Sequence, residues 1–368
     1  MTKKPLEEIV ADKIQALFGN HTRLLSLSPL AGDASSRRYY RALLDGPRAP
    51  RSAIIMELQG SSLPLSSEEL AIFHEPPKEL PFLNLHRFLN RLGVRIPALY
   101  GHWVEEGILL LEDLGDRCLW DSVQGLSPAE IIRWYEKAID QLLLIQVAGT
   151  RAKDDSCIAF KQRFDFRLYM WEFDHFLEYG LEKTCLPPQQ GRQGPGGKII
   201  SAERDLLVRS FEDISRRLES QPLCLNHRDY HSWNLMVLNG EVAVIDFQDA
   251  LLAPPQYDLA SLLNDRETDR IIRPDMEDRL IRYYLQRRDE AGEKRVHRDD
   301  FLDIYILSAV QRDLKVVGRF HYLDLIKGKP GYKKYLPPTL RRLKRNLLRA
   351  PHLEKLVPIL AAHFEEMR

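Results

Sequence analysis

The chain has little of what would decide its class at a glance. Its four cysteines, at 118, 157, 185 and 224 of 368 residues, stand far apart with no C-x-x-C pair. Such spacing excludes a disulfide framework and a zinc site, and reduced thiols are expected. Neither sign of charge is in excess, since 53 Lys and Arg balance 53 Asp and Glu. Without a basic surplus there is no electrostatic footprint for nucleic acid. No apolar run approaches membrane-spanning length, and the opening MTKKPLEEIVADK has no apolar signal core. There is no internal repeat. The expectation is a cytoplasmic protein long enough for two lobes, with no membrane association and no obligate protein partner.

Against that plain background one stretch stands out, Leu223 to Ala250, reading LCLNHRDYHSWNLMVLNGEVAVIDFQDA. It carries His-x-Asp-x-x-x-x-Asn between two apolar runs, then an Asp that closes the second run. Phosphoryl transfer asks a protein for in-line positioning, charge neutralisation by metal and a carboxylate near the incoming hydroxyl. Asp229 is placed to be that carboxylate. Asn234 and Asp246 offer oxygen ligands of the kind Mg²⁺ needs while it bridges ATP phosphates. Apolar residues flank Asn239-Gly240, a pair that favours a type I′ turn, so Leu235–Ile245 is expected as a hairpin returning Asp246 beside Asn234. A lone His-x-Asp or a strand-ending Asp would carry little; the ordered set carries the inference. His227 is expected to support the loop. Arg228 and His231 meet phosphate or substrate, or else are solvated loop residues. Trp233 is expected to pack.

Elsewhere the periodicities predict a helix over Leu6–Leu17 ended by Gly19, and strands over Leu24–Ser28, Arg37–Leu44 and Ser52–Leu58. A Ser- and Pro-rich loop, Gly60–Glu79, leads to a helix over Pro81–Leu92. Two more strands, Pro97–His102 and Gly107–Glu112, complete a small lobe. Ser127-Pro128-Ala129-Glu130 is a capping box opening a helix to about Ala148. Further helices are expected over Arg163–Lys183 and near 201–219, 256–264, 275–290, 299–318 and 337–349. The segment 185–198 is expected as a surface loop or insertion. The expected fold is α+β and bilobal, with an N-lobe over 1–116 and a mostly helical C-lobe over 117–368.

HRDYHSWNL, VIDFQDA, ILLLEDLGD and YDLASLL, taken together, resemble the aminoglycoside phosphotransferase/choline kinase family, small-molecule kinases related in fold to protein kinases. GDASSRRYYR, LLLEDLGDR, HRDYHSWNLM, DFQDALLAPPQYDL and QRDLKVVGRF, followed by KPGY, resemble in particular members that act on N-acetylated amino sugars. The resemblance implies ATP between the lobes, its adenine edge on backbone near Glu112–Leu114. It implies Asp229 as base, Asn234 and Asp246 on Mg²⁺, and Asp258 as an acid steadying the catalytic loop. A helix N-terminal carboxylate is the plainer reading of Asp258. The acceptor implied is the anomeric hydroxyl of N-acetylmuramate or N-acetylglucosamine, in cell-wall recycling. Other small acceptors (aminoglycoside, choline, homoserine) and a nucleotide-binding pseudokinase scaffold are the alternatives.

The pattern also departs from the family. Many relatives pair a strand lysine with a helix glutamate around the phosphates, but here the strand reads SAIIMEL and the next helix lacks an acid. The turn Gly32-Asp33-Ala34-Ser35-Ser36 offers backbone N–H and hydroxyl donors to phosphate. Arg38 or Arg41 on the following strand would supply charge. Alternation puts Arg37, Tyr39 and Arg41 on one face and Arg38, Tyr40 and Ala42 on the other, without saying which meets the cleft. Glu172 and Asp174 are candidates for sugar hydroxyls, against the commoner exposed helix acid. Gln311, Lys315 and Arg319 recur at i, i+4, i+8. They form either a solvated face or a cationic stripe holding an acceptor carboxylate.

Overall fold

The computed structural model describes residues 4–30, 37–58, 78–184 and 200–368. Gly32, Ser35 and Ser36, most of the first expected loop and the 185–198 segment lie outside the described residues.

After helix α1 (Leu6–Phe18) come β1 (Arg23–Pro29), β2 (Arg38–Asp45), β3 (Ser52–Glu57), helix α2 (Pro81–Arg91), β4 (Leu99–Trp103) and β5 (Ile108–Glu112). The strands form an antiparallel sheet in the order β1-β2-β3-β5-β4. Tyr40, Ile55 and Leu110 are in register, as are Tyr39, Met56 and Leu109. Because side chains alternate, the first row packs with Ala42 and Ala53 against Val10 and Ile14 of α1. The second row joins the main core, shared with the rest of the protein. Arg38 therefore lies on the α1 face. Arg37, Tyr39 and Arg41 lie on the other.

Helix α2 starts at Pro81, where a missing N–H costs nothing. Its polar residues tie it across to the second lobe. The amide of Asn84 donates to Ser156 O at 2.9 Å and accepts from Ile158 N–H at 2.9 Å. Phe82 stacks on Phe247, ring centroids 5.0 Å apart.

The second lobe contains α3 (Leu119–Ser122), α4 (Pro128–Leu143), α5 (Phe166–His175), α6 (Ser201–Glu219), β6 (Cys224–Asn226), β7 (Leu235–Leu238), β8 (Glu241–Val244), β9 (Leu251–Ala253), α7 (Gln256–Leu263), α8 (Pro274–Glu290), α9 (Arg298–Leu325), α10 (Leu336–Leu348) and α11 (Leu356–His363). The capping box forms as expected, with Ser127 Oγ accepting from Glu130 N–H and the Glu130 carboxylate from Ser127 N–H. The helix expected from Arg163 begins at Phe166, because Phe164 N–H bonds Leu252 O at 2.8 Å instead. Helix α9 outruns its expected end at 318. Gly318 sits there for packing: a Cβ on it would stand 2.7 Å from Phe176 Cα. Among the described residues no helix is long and apolar enough to cross a membrane.

Candidate active site

The site is built on the loop between β6 and the β7–β8 hairpin. Asn239 (φ +51) and Gly240 (φ +81) turn the hairpin in the expected I′ sense. Leu235 pairs with Val244, and Ile245 N–H extends the ladder to Asn234 O at 3.0 Å. Asn234 and Asp246 thus emerge together at the open end of the hairpin. Asp246 takes a left-handed backbone (φ +64), a conformation costing a residue with a Cβ about 1–2 kcal/mol.

The loop is held from several sides. Asp258, at the start of α7, accepts from His227 N–H at 2.5 Å and Arg228 N–H at 3.0 Å. The His227 ring accepts from Asp229 N–H at 3.3 Å through Nδ1 and donates to Ile245 O at 2.9 Å through Nε2. Asn234 Nδ2 donates to Asp229 O at 3.0 Å. Arg312 Nη1, from α9, donates to Arg228 O at 2.7 Å.

Charges converge on Asp229, whose side chain keeps 39% of its surface open. Lys315 Nζ lies 3.7 Å and Arg312 Nη2 3.6 Å from its Oδ1. Burial opposes ionisation, but Lys315, Arg312 and Arg228 outweigh it and hold the carboxyl well below its ordinary range. Behind them Glu172 is 1% exposed. Its oxygens meet Gln311 Nε2 at 2.7 Å, Lys315 Nζ at 3.2 Å and Arg228 Nη2 at 3.3 Å. Asp265 accepts from Arg312 at 3.2 Å. Arg228, Arg312 and Lys315 therefore face Asp229, Glu172 and Asp265, and Arg266 Nε adds a fourth cation 3.7 Å from Asp265. In the expected cationic stripe Lys315 is held in ion pairs with Glu172 and Asp229, while Arg319 lies over the Tyr322 ring, 5.3 Å from its centroid. His231 is buried, and burial pushes its imidazole down to about 4. Its Nδ1 has no partner among the described residues.

Two expectations need correction. Glu172, a candidate for sugar hydroxyls, is buried beneath the site with its carboxylate taken up. Arg38, a candidate for phosphate, is on the α1 face. The cleft face carries Tyr39 instead, and its phenol is pushed up to about 12, mainly by burial and further by Asp246 and Asp249. Arg37 donates to that phenol. Arg41 is bound by Asp113 and Asp116, each at 2.7 Å. At the interlobe strand, Glu112 N–H is committed to Ala98 O at 2.8 Å and its carboxylate to Arg95, so Glu112 can meet a ligand only through its carbonyl. Leu114 is buried.

Sequence reasoning missed Arg312 and Asp265. Arg312 had a signal, since it stands three residues before Lys315 and hence on the same helical face.

Among the described residues no group of three or more His, Cys, Asp or Glu is gathered to hold a metal. Mg²⁺ at a nucleotide asks for less: one or two oxygen ligands, with phosphates and water supplying the rest. Asn234 gives its nitrogen arm to Asp229 O, which leaves its oxygen arm for another partner. Asp246 uses Oδ1 for Gln248 at 2.7 Å, leaving Oδ2. The residues present fit.

The model of the phosphotransferase enzyme family matches residues 26–296. The chain is 31% identical to an N-acetylmuramate/N-acetylglucosamine kinase of Pseudomonas aeruginosa, over 91% of this chain and 88% of that one. It is 26% identical to an enzyme of the same name from Neisseria meningitidis, over 92% and 90%. Among solved structures it resembles the choline kinase LicA from Streptococcus pneumoniae (TM-score 0.54, 16% identity, 93% of this chain and 97% of that one). It also resembles spectinomycin phosphotransferase in complex with ADP and spectinomycin (TM-score 0.57, 16% identity, 93% and 95%). At these identities the structural likeness speaks for the fold, a bilobal protein-kinase-like one. On the sequence matches, the chain is an enzyme of the phosphotransferase enzyme family.

Proposed function

We propose that this chain is an ATP- and Mg²⁺-dependent kinase that phosphorylates the anomeric hydroxyl of N-acetylmuramate, N-acetylglucosamine or both, in peptidoglycan recycling. ATP lies between an N-lobe of residues 1–116 and a C-lobe of residues 117–368. Its adenine edge meets the Glu112 carbonyl and the Leu114 peptide. Gly32, Ser35 and Ser36 contribute donors to the phosphates, and Arg37 supplies charge there. Asn234 and Asp246 hold Mg²⁺, which neutralises phosphate charge when bound.

Asp229 takes the acceptor. Cations beside it make its carboxylate a weak base, so its main work is to orient the hydroxyl and receive the proton late. An anomeric hydroxyl is more acidic than an ordinary alcohol and suits such a base. His227 and Asp258 hold the loop, while His231, Lys315 and Arg319 border the acceptor. Lys315 and Arg312 beside Asp229 disfavour a cationic aminoglycoside or choline. Carrying the reading is the meeting of Asp229, Asn234 and Asp246 at one loop, in a chain whose relatives bear the names of N-acetylated sugar kinases.

The test is ADP release from ATP and Mg²⁺ with N-acetylmuramate, N-acetylglucosamine, glucosamine, kanamycin, choline and homoserine in turn. Turnover confined to the N-acetylated sugars supports the reading. Turnover with another acceptor alone would replace the substrate and keep the kinase.

A further inference from the structure

The pair formed by Lys315 and Glu172 asks for an explanation that acceptor binding does not supply. Taking ions out of water is costly, and a buried pair is poor evidence of a device for stability. Here the Glu172 carboxylate is 1% exposed and its two oxygens are separately fixed, one by Gln311 at 2.7 Å and the other by Lys315 at 3.2 Å. Arg228 reaches the same carboxylate at 3.3 Å. Lys315 keeps 17% of its side chain open and carries its ammonium to within 3.7 Å of Asp229 Oδ1. On the face away from α1, β3 carries Ile54 and Met56, neither of them charged.

We infer that Lys315 is a catalytic cation for phosphoryl transfer and that Glu172 is its positioning residue. The inference rests on the kinase reading above. In the step, the acceptor oxygen forms a bond to the γ-phosphorus of ATP while the bond from that phosphorus to the β-phosphate oxygen breaks. ADP leaves with the electron pair, and the acceptor proton passes to the Asp229 carboxylate. A hydroxyl donating to Asp229 at ~2.7 Å shares that carboxylate with the Lys315 ammonium. The ammonium enters the step charged: burial works against its charge, but Asp229 and Glu172 more than offset that. It therefore stands as a fixed positive charge where negative charge gathers on the transferring group, the task for which preorganised charges are most effective. Glu172 holds it there, so the ammonium needs no reorganisation when the reaction begins.

This differs from a role in binding an acceptor carboxylate, and the two separate kinetically. The measurement is ADP release by the wild type, Lys315→Met, Glu172→Gln and the double variant, with N-acetylglucosamine (neutral), N-acetylmuramate (anionic) and water as acceptors. ATP affinity reports on folding. The expected result is a loss in kcat of about 10²–10³-fold in Lys315→Met. It is equal for both sugars and water, with KM for either sugar near the wild-type value. Glu172→Gln is expected to lose less, and the double variant no more than Lys315→Met, because Glu172 acts through Lys315. Should either single variant fail to fold, the double variant, which removes both buried charges, carries the same kcat prediction. An effect confined to KM for N-acetylmuramate, or a kcat unchanged in Lys315→Met, would overturn the inference and leave the kinase reading standing. A wild type that releases no ADP with any acceptor would overturn both.

Discussion

Asp258 holds Arg228 in a left-handed conformation: the Arg228 N–H, at φ +82, donates to Asp258 Oδ1 at 3.0 Å. A residue with a Cβ adopts that backbone only when its surroundings over-determine it. Here Asp258 grips the N–H side, Arg312 grips the carbonyl at 2.7 Å, and Asp229 is the next residue along. Asp258→Ala leaves two buried N–H donors unmatched and releases the strain. The expected result is a loss on the order of 3 kcal/mol in urea unfolding, together with a fall in kcat.

Asp229→Asn keeps the shape of the loop and removes the charge proposed above to orient the acceptor. Its kcat is expected to fall by about 10²–10⁴-fold, while ATP affinity changes modestly. Turnover at the wild-type rate in this variant would remove Asp229 from the mechanism.

The sheet register separates two neighbouring arginines. Arg37 shares a face with Tyr39, which senses Asp246, whereas Arg38 shares a face with Tyr40 and α1. Arg37→Met is therefore expected to weaken ATP binding, measured by titration, and Arg38→Met to leave it unchanged. The opposite pattern would place the phosphates on the other side of β2.

His231 carries a pH signature. Burial lowers its folded-state value to about 4, below the 6.5 of an unhindered histidine. Between those values the unfolded chain binds the proton that the folded chain refuses. Its contribution to stability is thus complete above about pH 6.5 and is lost as pH falls toward 4. The melting temperature of the wild type is expected to drop more steeply across that window than that of His231→Asn.

What could be read from the sequence was local. Asn239-Gly240 specifies its turn, Ser127 and Glu130 specify their cap, and the spacing from Asp229 to Asn234 specifies a loop whose partners lie within it. What could not be read depended on distant packing. Alternation defined two faces of β2, but only the seating of Val10 and Ile14 against Ala42 decides that Arg38 faces α1. Glu172 looked like any helix acid until α9 brought Gln311 and Lys315 against it. Arg312 meets the catalytic loop across 84 residues of chain, beyond any local pattern. Strand β9 is only Leu251–Ala253, too short to announce itself before it pairs with β6.

The most direct measurement is the structure of the product. Phosphorus NMR of the sugar after turnover with ATP and Mg²⁺ is expected to show one phosphate coupled to the anomeric proton, and none with the methyl glycoside of the same sugar. A phosphate on any other carbon, or equal turnover of the glycoside, would contradict the assignment of the anomeric hydroxyl as the acceptor.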